Sequence, residues 1–111
     1  MAVYVNFDEG LRRVMNNAGL YVKLLAKFRN ETSLDEISAS LEAGDYEKAR
    51  TAAHTVKGLA ANLSLIELFE KTRDLESQIR AKSVQPGAFE GVKAVFEETV
   101  KEVDKVILEH G

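Results

Sequence analysis

Hydrophobic positions recur along most of the chain at steps of three and four residues, the period of an amphipathic α-helix. Four such stretches follow residue 32, and two shorter ones precede it. A single proline and seven glycines occur in 111 residues, and the longest loop-like run is 83–87. Short connections between long helices favour an up-down-up-down arrangement. We therefore predict an all-α fold, an antiparallel four-helix bundle with short extra N-terminal helical pieces, as one domain over residues 1–111.

The two N-terminal pieces are predicted from capping residues. Asp8 is expected to cap the first piece, because its side chain can accept a hydrogen bond from a free N–H of the first turn. This piece should turn three apolar residues inward, namely Leu11, Val14 and Met15. Asn17 is expected to cap the second piece. Its apolar residues are Ala18, Tyr21, Leu25 and Phe28.

Two later helices are predicted to begin with a capping box, in which each side chain satisfies a free backbone N–H near the other. The boxes pair Ser33 with Glu36 and Ser64 with Glu67. Behind the first box the apolar residues are Leu34, Ile37 and Leu41. Behind the second they are Leu65, Leu68, Phe69, Leu75 and Ile79. The last helix follows Pro86, with a bundle-like seam of Phe89, Val92, Phe96, Thr99, Val103 and Val106.

The helix between these boxes carries the candidate chemistry. Gly44 is a good left-handed end for the preceding helix, and Asp45 should cap this one, which runs to about Leu63. Its core stripe is predicted to be Tyr46, Ala49, Ala53, Val56, Ala60 and Leu63. Each residue advances about 100° around the axis, so His54 lies more than about 90° from the centre of that stripe. The outward face around His54 also carries Arg50, Lys57, Gly58 and Ala61.

This outward face suits phosphoryl chemistry. Helical side chains lean toward the N-terminus, so Gly58 leaves the ring of His54 open to an approaching protein. The glycine costs about 1 kcal/mol relative to alanine inside a helix. Lys57 can place its ammonium near a group attached to the ring. A neutral imidazole is a nucleophile, and an ammonium suits phosphate oxygens. A solvated histidine–lysine surface pair is the alternative, and the residues alone leave both interpretations open.

Composition narrows the partners. The net charge is −3 with both signs interspersed, which gives a nucleic acid no electrostatic footprint. No run of eighteen apolar residues occurs, and no basic N-terminal region precedes an apolar stretch, so membrane insertion and secretion are unsupported. The absence of cysteine removes disulfides, thiol catalysis and thiolate metal sites. We expect a cytoplasmic protein with no nucleic-acid or membrane partner.

Other catalytic chemistries find little support. His110 lies beside the final glycine and is expected to be frayed. No Glu-x-x-His pair suggests a di-metal centre, and no glycine-rich phosphate loop followed by lysine suggests a nucleotide site. We therefore expect no cofactor in this chain, and a phosphoryl group would have to come from another protein.

Residues 53–63, Ala-His-Thr-Val-Lys-Gly-Leu-Ala-Ala-Asn-Leu, resemble the signature of histidine phosphotransfer domains, typically A-H-T-L-K-G-S-A-A-x-L-G. The resemblance extends to residues 10–13, 21–28 and 68–76, and so covers nearly the whole chain. It implies that His54 is phosphorylated through Nε2, that Lys57 helps to hold the phosphoryl group, and that Gly58 gives the partner access.

Two positions depart from the family pattern. Leu59 stands where the family usually has a small residue, but it lies about 140° from His54 and is expected to pack without blocking the site. Ser64 replaces a glycine and loses an easy left-handed break between helices. The capping box at Ser64 is expected to compensate, which leaves the geometry of that turn open. Asn62 is not assigned to the site.

The resemblance implies a reversible relay. A receiver domain with an aspartyl phosphate would dock over His54, and a second receiver would later take the group. The partners would be response-regulator receivers, a hybrid sensor histidine kinase, or both, with magnesium on the receiver only. The chain would be a monomeric phosphocarrier and not an enzyme. The end of the sequence soon after the fourth long helix favours a stand-alone carrier. The alternatives are the phosphoacceptor domain of a chemotaxis-type histidine kinase and a non-phosphorylated helical adaptor.

Overall fold

The computed structural model describes residues 3–110, most of which lie in six helices. These are α1 (Phe7–Arg13), α2 (Ala18–Phe28), α3 (Ser33–Glu42), α4 (Tyr46–Asn62), α5 (Ile66–Arg80) and α6 (Ala88–His110). The described residues include no strand. The predicted all-α bundle is confirmed.

Consecutive helices pack against each other through most of the bundle. α3 packs on α4, α4 on α5 and α5 on α6, while α2 packs on α6 and α1 on α2. The connections 43–45, 63–65 and 81–87 are short, so the paired helices run antiparallel. The apolar stripe predicted on α4 lies in the core, except that Tyr46 is half-buried at its edge. α4 is thereby fixed with its opposite face outward.

Three predicted helix ends are confirmed. The side chain of Asn17 accepts a hydrogen bond from the N–H of Leu20 at 3.0 Å. Asp45 does the same for the N–H of Lys48 at 3.0 Å. Gly44 follows α3 with a φ of +71°, the left-handed conformation that glycine adopts without strain. α4 therefore begins where its sequence predicts.

The predicted start of α1 is wrong by two residues. Asn6, and not Asp8, is the N-cap, and its side chain accepts from the N–H of Glu9 at 3.2 Å. The earlier start brings Phe7 into the helix, where its ring packs 5.6 Å from that of Tyr21. Met15 was expected inward but is 91% exposed, because it follows the end of α1 with a φ of +56°. Because α1 ends before Met15, the helical spacing that predicted an inward side chain does not apply to this residue.

The predicted capping box at Ser33 is also wrong. Thr32 is the N-cap of α3 and makes no side-chain cap bond. The carboxylate of Glu31 accepts instead from the N–H groups of Thr32 and Ser33, both at 3.1 Å, and from the Ser33 hydroxyl at 2.7 Å. Glu31, which precedes α3, thus accepts the hydrogen bond from the backbone N–H that Glu36 was expected to accept.

Ser64 keeps the left-handed break that the glycine of the family pattern would give. Its φ is +56°, and the N–H of Leu65 bonds to the carbonyl of Ala60 at 2.8 Å, as in a Schellman ending. The conformation costs about 1–2 kcal/mol for a residue with a Cβ. The Ser64 hydroxyl donates to Glu9 at 2.8 Å, which helps to offset that cost. The predicted box with Glu67 is wrong, because the Glu67 N–H bonds to the carbonyl of Val3 at 3.0 Å.

The end of α4 is further fixed by Tyr21, whose hydroxyl donates to the carbonyl of Leu63 at 2.6 Å. Burial, with a smaller contribution from the charge of Glu9, raises the pKa of Tyr21 to about 12, so the hydroxyl stays a donor. Gly10 lies against this ring. His110 is not frayed as predicted, because its ring stacks on Phe7 at a centroid distance of 4.2 Å.

Candidate functional site

His54 lies in the middle of α4 on its outward face, as the sequence predicts, and its side chain is 68% exposed. The ring is not a free surface group. Its Nδ1 lies 3.2 Å from the Oε2 of Glu76 on the neighbouring helix α5. The contact with Glu76 therefore involves Nδ1, and Nε2, the second ring nitrogen, takes no part in it.

Glu76 is the site residue that sequence reasoning missed. Its side chain is only 2% exposed. Besides His54, its carboxylate contacts Lys57, with 2.5 Å between Oε1 and Nζ. Buried carboxylates are rare unless paired, and this one joins the two residues that the motif singles out. A charged residue beside Leu75 on the buried side of α5 was the available signal.

The charge of Glu76 is set by its neighbours. Burial alone raises the pKa of this carboxyl, because it disfavours the charged form. The hydrogen bond and positive charge of Lys57, with a smaller contribution from the contact with His54, outweigh burial and hold the pKa of Glu76 below its ordinary value of 4.5. Glu76 is therefore ionised at neutral pH.

An ionised carboxylate decides which nitrogen of His54 carries the proton. It can only accept hydrogen bonds, so the contact with Glu76 assigns the proton of the neutral ring to Nδ1. The lone pair then lies on Nε2, the nitrogen that Glu76 does not engage. This is the tautomer that a nucleophile acting through Nε2 requires.

Lys57 is more constrained than the sequence indicates. It was predicted to place its ammonium near a group on the ring of His54, one turn away. The side chain is 23% exposed, and its ammonium contacts Glu76. The structure thus brings the predicted lysine to the site and gives it a carboxylate partner within the protein.

The remaining predicted site residues, Arg50, Gly58 and Ala61, lie on α4 together with His54. A Cβ built on Gly58 meets nothing within 4 Å, so no packing in the described chain requires a glycine there. Arg50 is exposed and lines a shallow cleft with Arg80 and Lys82, whereas Ala61 is half-buried. Leu59 packs against the core, as predicted. The space around position 58 is thus open, and access of a partner to the ring stays a prediction.

Within residues 3–110, no group of three or more histidine, aspartate or glutamate side chains could hold a metal ion. None of the helices in this range is both long and apolar enough to cross a membrane.

A comparison with known protein families matches the Hpt domain to residues 23–105. The match spans α3, α4 and α5 entirely and most of α6, and it includes every residue of the site described above. Neither curated proteins nor solved structures give a significant match to the chain.

Proposed function

This chain belongs to the Hpt domain family, and from that membership we propose that His54 accepts a phosphoryl group from a receiver aspartyl phosphate and passes it to another receiver. Hpt domains serve histidine phosphotransfer in phosphorelays, where they work with response-regulator receivers and kinases. The observation that carries the proposal is the contact between the exposed ring of His54 and the buried carboxylate of Glu76. In the neutral ring this contact assigns the proton to Nδ1 and the lone pair to Nε2.

The proposed step needs no proton transfer. The Nε2 lone pair of His54 forms a bond to phosphorus while the bond from phosphorus to the aspartyl oxygen breaks, and that bond's electron pair stays on the receiver carboxylate. Nδ1 keeps its proton, so the ring becomes a phosphorylated imidazolium. Its positive charge develops beside the ionised Glu76, which stabilises it. Transfer to the second receiver is the same step in reverse.

Glu76 also favours that reverse step. Because Nδ1 stays protonated, the group that leaves phosphorus is a neutral imidazole and not an imidazolate anion. Neutral imidazole is much the better leaving group. The pairing of His54 with Glu76 therefore suits a carrier that must both accept and release the phosphoryl group.

The residues around His54 take the roles that the family resemblance implies. Lys57 is proposed to bind oxygens of the transferred group with its ammonium. Gly58, Arg50 and Ala61 are proposed to form the docking face, with Gly58 giving clearance above the ring. Phosphoryl transfer needs further positive charge at the equatorial oxygens, and we propose that magnesium on the receiver supplies it.

On this proposal the chain is a phosphocarrier without an ATP site of its own, and its cytoplasmic location stays a prediction. The test is to incubate it with phosphorylated receiver domains of the source organism. We expect acid-labile, base-stable label on the wild type and on His110→Gln, and none on a folded His54→Gln variant. Undiminished label on His54→Gln would overturn the proposal. Labelling only by an ATP-dependent kinase domain would indicate the chemotaxis-type alternative, and receiver binding without transfer would indicate the adaptor.

A further inference from the structure

Glu76 faces one more cation, which the transfer step above does not use. Arg80 lies one turn further along α5, and its Nη2 is 4.0 Å from the Oε2 of Glu76. The arginine is 64% exposed, so it stands at the edge of the cluster without a close bond to Glu76. Lys57, at 2.5 Å, is the close partner in the unphosphorylated protein. Among residues 3–110, no cationic side chain other than Lys57, Arg80 and the ring of His54 lies within 4 Å of this carboxylate.

Phosphorylation of His54 would give Lys57 a second anion to bind besides Glu76. A phosphoryl group adds about −1.5 to −2 charge on the far side of the ring from Glu76. The one ammonium of Lys57 then faces two anions. If it turns to the phosphoryl oxygens, the carboxylate of Glu76 loses its closest cation while it stays buried. Removing one partner of a buried ion pair is strongly destabilising, so this movement is costly unless another cation takes the vacated place.

We propose that Lys57 and Arg80 exchange at Glu76 when His54 is phosphorylated. Lys57 leaves Glu76 for the phosphoryl oxygens, and the guanidinium of Arg80 closes the 4.0 Å gap and replaces it. A guanidinium suits this place, because it offers a planar fork of donors to a carboxylate. Arg80 is thus a positioning residue that acts through Glu76. The inference rests on the proposed function, since it requires a phosphoryl group on His54.

The experiment compares the effect of Arg80→Gln on the unfolding equilibrium constant in three forms of the protein, by denaturant titration. In the unphosphorylated wild type Lys57 occupies Glu76, so we expect Arg80→Gln to change the constant by no more than about twofold, as is usual for surface substitutions. In a Lys57→Gln background Arg80 is the remaining cation, and we expect an increase of about tenfold or more. The protein phosphorylated with phosphoramidate, held at mildly alkaline pH, should resemble the Lys57→Gln form.

Two controls isolate Glu76. Arg73→Gln removes an exposed arginine of α5 whose one ion pair among the described residues is with Asp74, and it should act equally in all three forms. In a Glu76→Gln background, Arg80→Gln should change the unfolding equilibrium constant equally in all three forms, because the carboxylate that Arg80 would contact is absent. If Lys57→Gln does not fold, the phosphorylated form tests the exchange with Lys57 in place.

The outcomes separate the exchange from the proposed function. Equal effects of Arg80→Gln in all three forms overturn the exchange. A large effect with Lys57→Gln but none in the phosphorylated protein shows that Lys57 stays on Glu76, which overturns the exchange and leaves the phosphocarrier intact. Absence of any label on His54 overturns both. Large effects in both altered forms, beside a small one in the unphosphorylated wild type, support the exchange.

Discussion

Two polar clusters flank α4, and they use buried polar groups in opposite ways. The His54 cluster is formed by His54, Lys57 and Glu76, and it ends on the exposed ring of His54, whose Nε2 is not part of the contact with Glu76. The anchor cluster, at the C-terminal end of the helix, is formed by Glu9, Tyr21, Leu63 and Ser64. There, buried or half-buried donors and acceptors are paired with each other. The first arrangement leaves the proposed phosphoryl acceptor exposed, while the second fixes the end of the helix that carries it.

Each cluster has a glycine beside it, and the two glycines differ in how much space a side chain would have at their positions. Gly58 lies beside His54, and a Cβ there would meet nothing within 4 Å. Gly10 lies beside Tyr21, and a Cβ there would overlap the tyrosine ring and its hydroxyl. Packing therefore requires a glycine at position 10 and does not require one at position 58. Packing does not explain the glycine at position 58, and the proposed docking face offers a reason for it.

The largest effect expected from this comparison is on transfer by Gly58→Leu. A leucine at this position leans toward the N-terminus, over the ring of His54. We expect a receiver to transfer its phosphoryl group about a hundredfold more slowly, or about 2.7 kcal/mol in the barrier. The defect should be milder with phosphoramidate, which needs less clearance than a protein donor.

Rates with both donors and the melting temperature should be measured on the same preparations of Gly58→Leu. The variant should fold, because position 58 has open space around it. Normal transfer from the receiver would mean that the docking face is misplaced. If Gly58→Leu does not fold, Gly58 is required for helix packing and not for access to His54.

The next effect is on stability, at the anchor cluster. Gly10→Ala places a methyl group where the ring of Tyr21 lies, so α1 or the ring must shift. Overpacking of this kind costs about 1–3 kcal/mol, which chemical denaturation would measure. Phosphoryl transfer by the folded fraction should be normal, because His54 is not part of the anchor. A variant as stable as wild type would show that the junction between α1 and α2 accommodates a side chain, and would remove the contrast between the two glycines.

The sequence predicts the helices well because each of them repeats its core contacts every turn. Caps are predicted correctly where the acceptor directly precedes the helix, as at Asn17 and Asp45. At Asp8 and Ser33 a nearby acceptor takes over the predicted role, and at Ser64 a distant contact takes over the polar group. The hydroxyl of Ser64 goes to Glu9, which is 55 residues away, so no local spacing could show it.

The same limit explains how much of the candidate site was predicted. The motif gives His54, Lys57 and Gly58 because they share one helix face, and the periodicity of that helix fixes the face. Glu76 lies 22 residues from His54 on another helix, and its role depends on how α4 packs against α5. Its position beside Leu75 marks it as a charge near the core, but the sequence does not show which cations lie opposite.

A smaller effect is expected from the charge of Glu76. Its folded-state pKa lies below the ordinary value, so the folded protein binds the proton less tightly than the unfolded chain. The resulting stability is present above the ordinary value of 4.5 and is lost as pH falls through the lower, folded-state pKa. Denaturant titrations from neutral pH down through this range should therefore show a steeper loss for wild type than for Glu76→Gln. Parallel curves for the two proteins would mean that the ion pair adds nothing to stability.

The smallest effect is expected from Gly58→Ala, and its direction is informative. A glycine inside a helix has excess conformational freedom in the unfolded chain, and alanine removes part of it. Because the added methyl group meets nothing within 4 Å, we expect the free energy of unfolding to rise by about 0.4–1 kcal/mol. The same methyl group begins to narrow the approach to His54, so transfer from a receiver should fall slightly. Gly10→Ala serves as the matched control, since the identical substitution there should lower stability and spare transfer. If Gly58→Ala instead destabilises the fold, position 58 is not the open surface on which the proposed docking face depends.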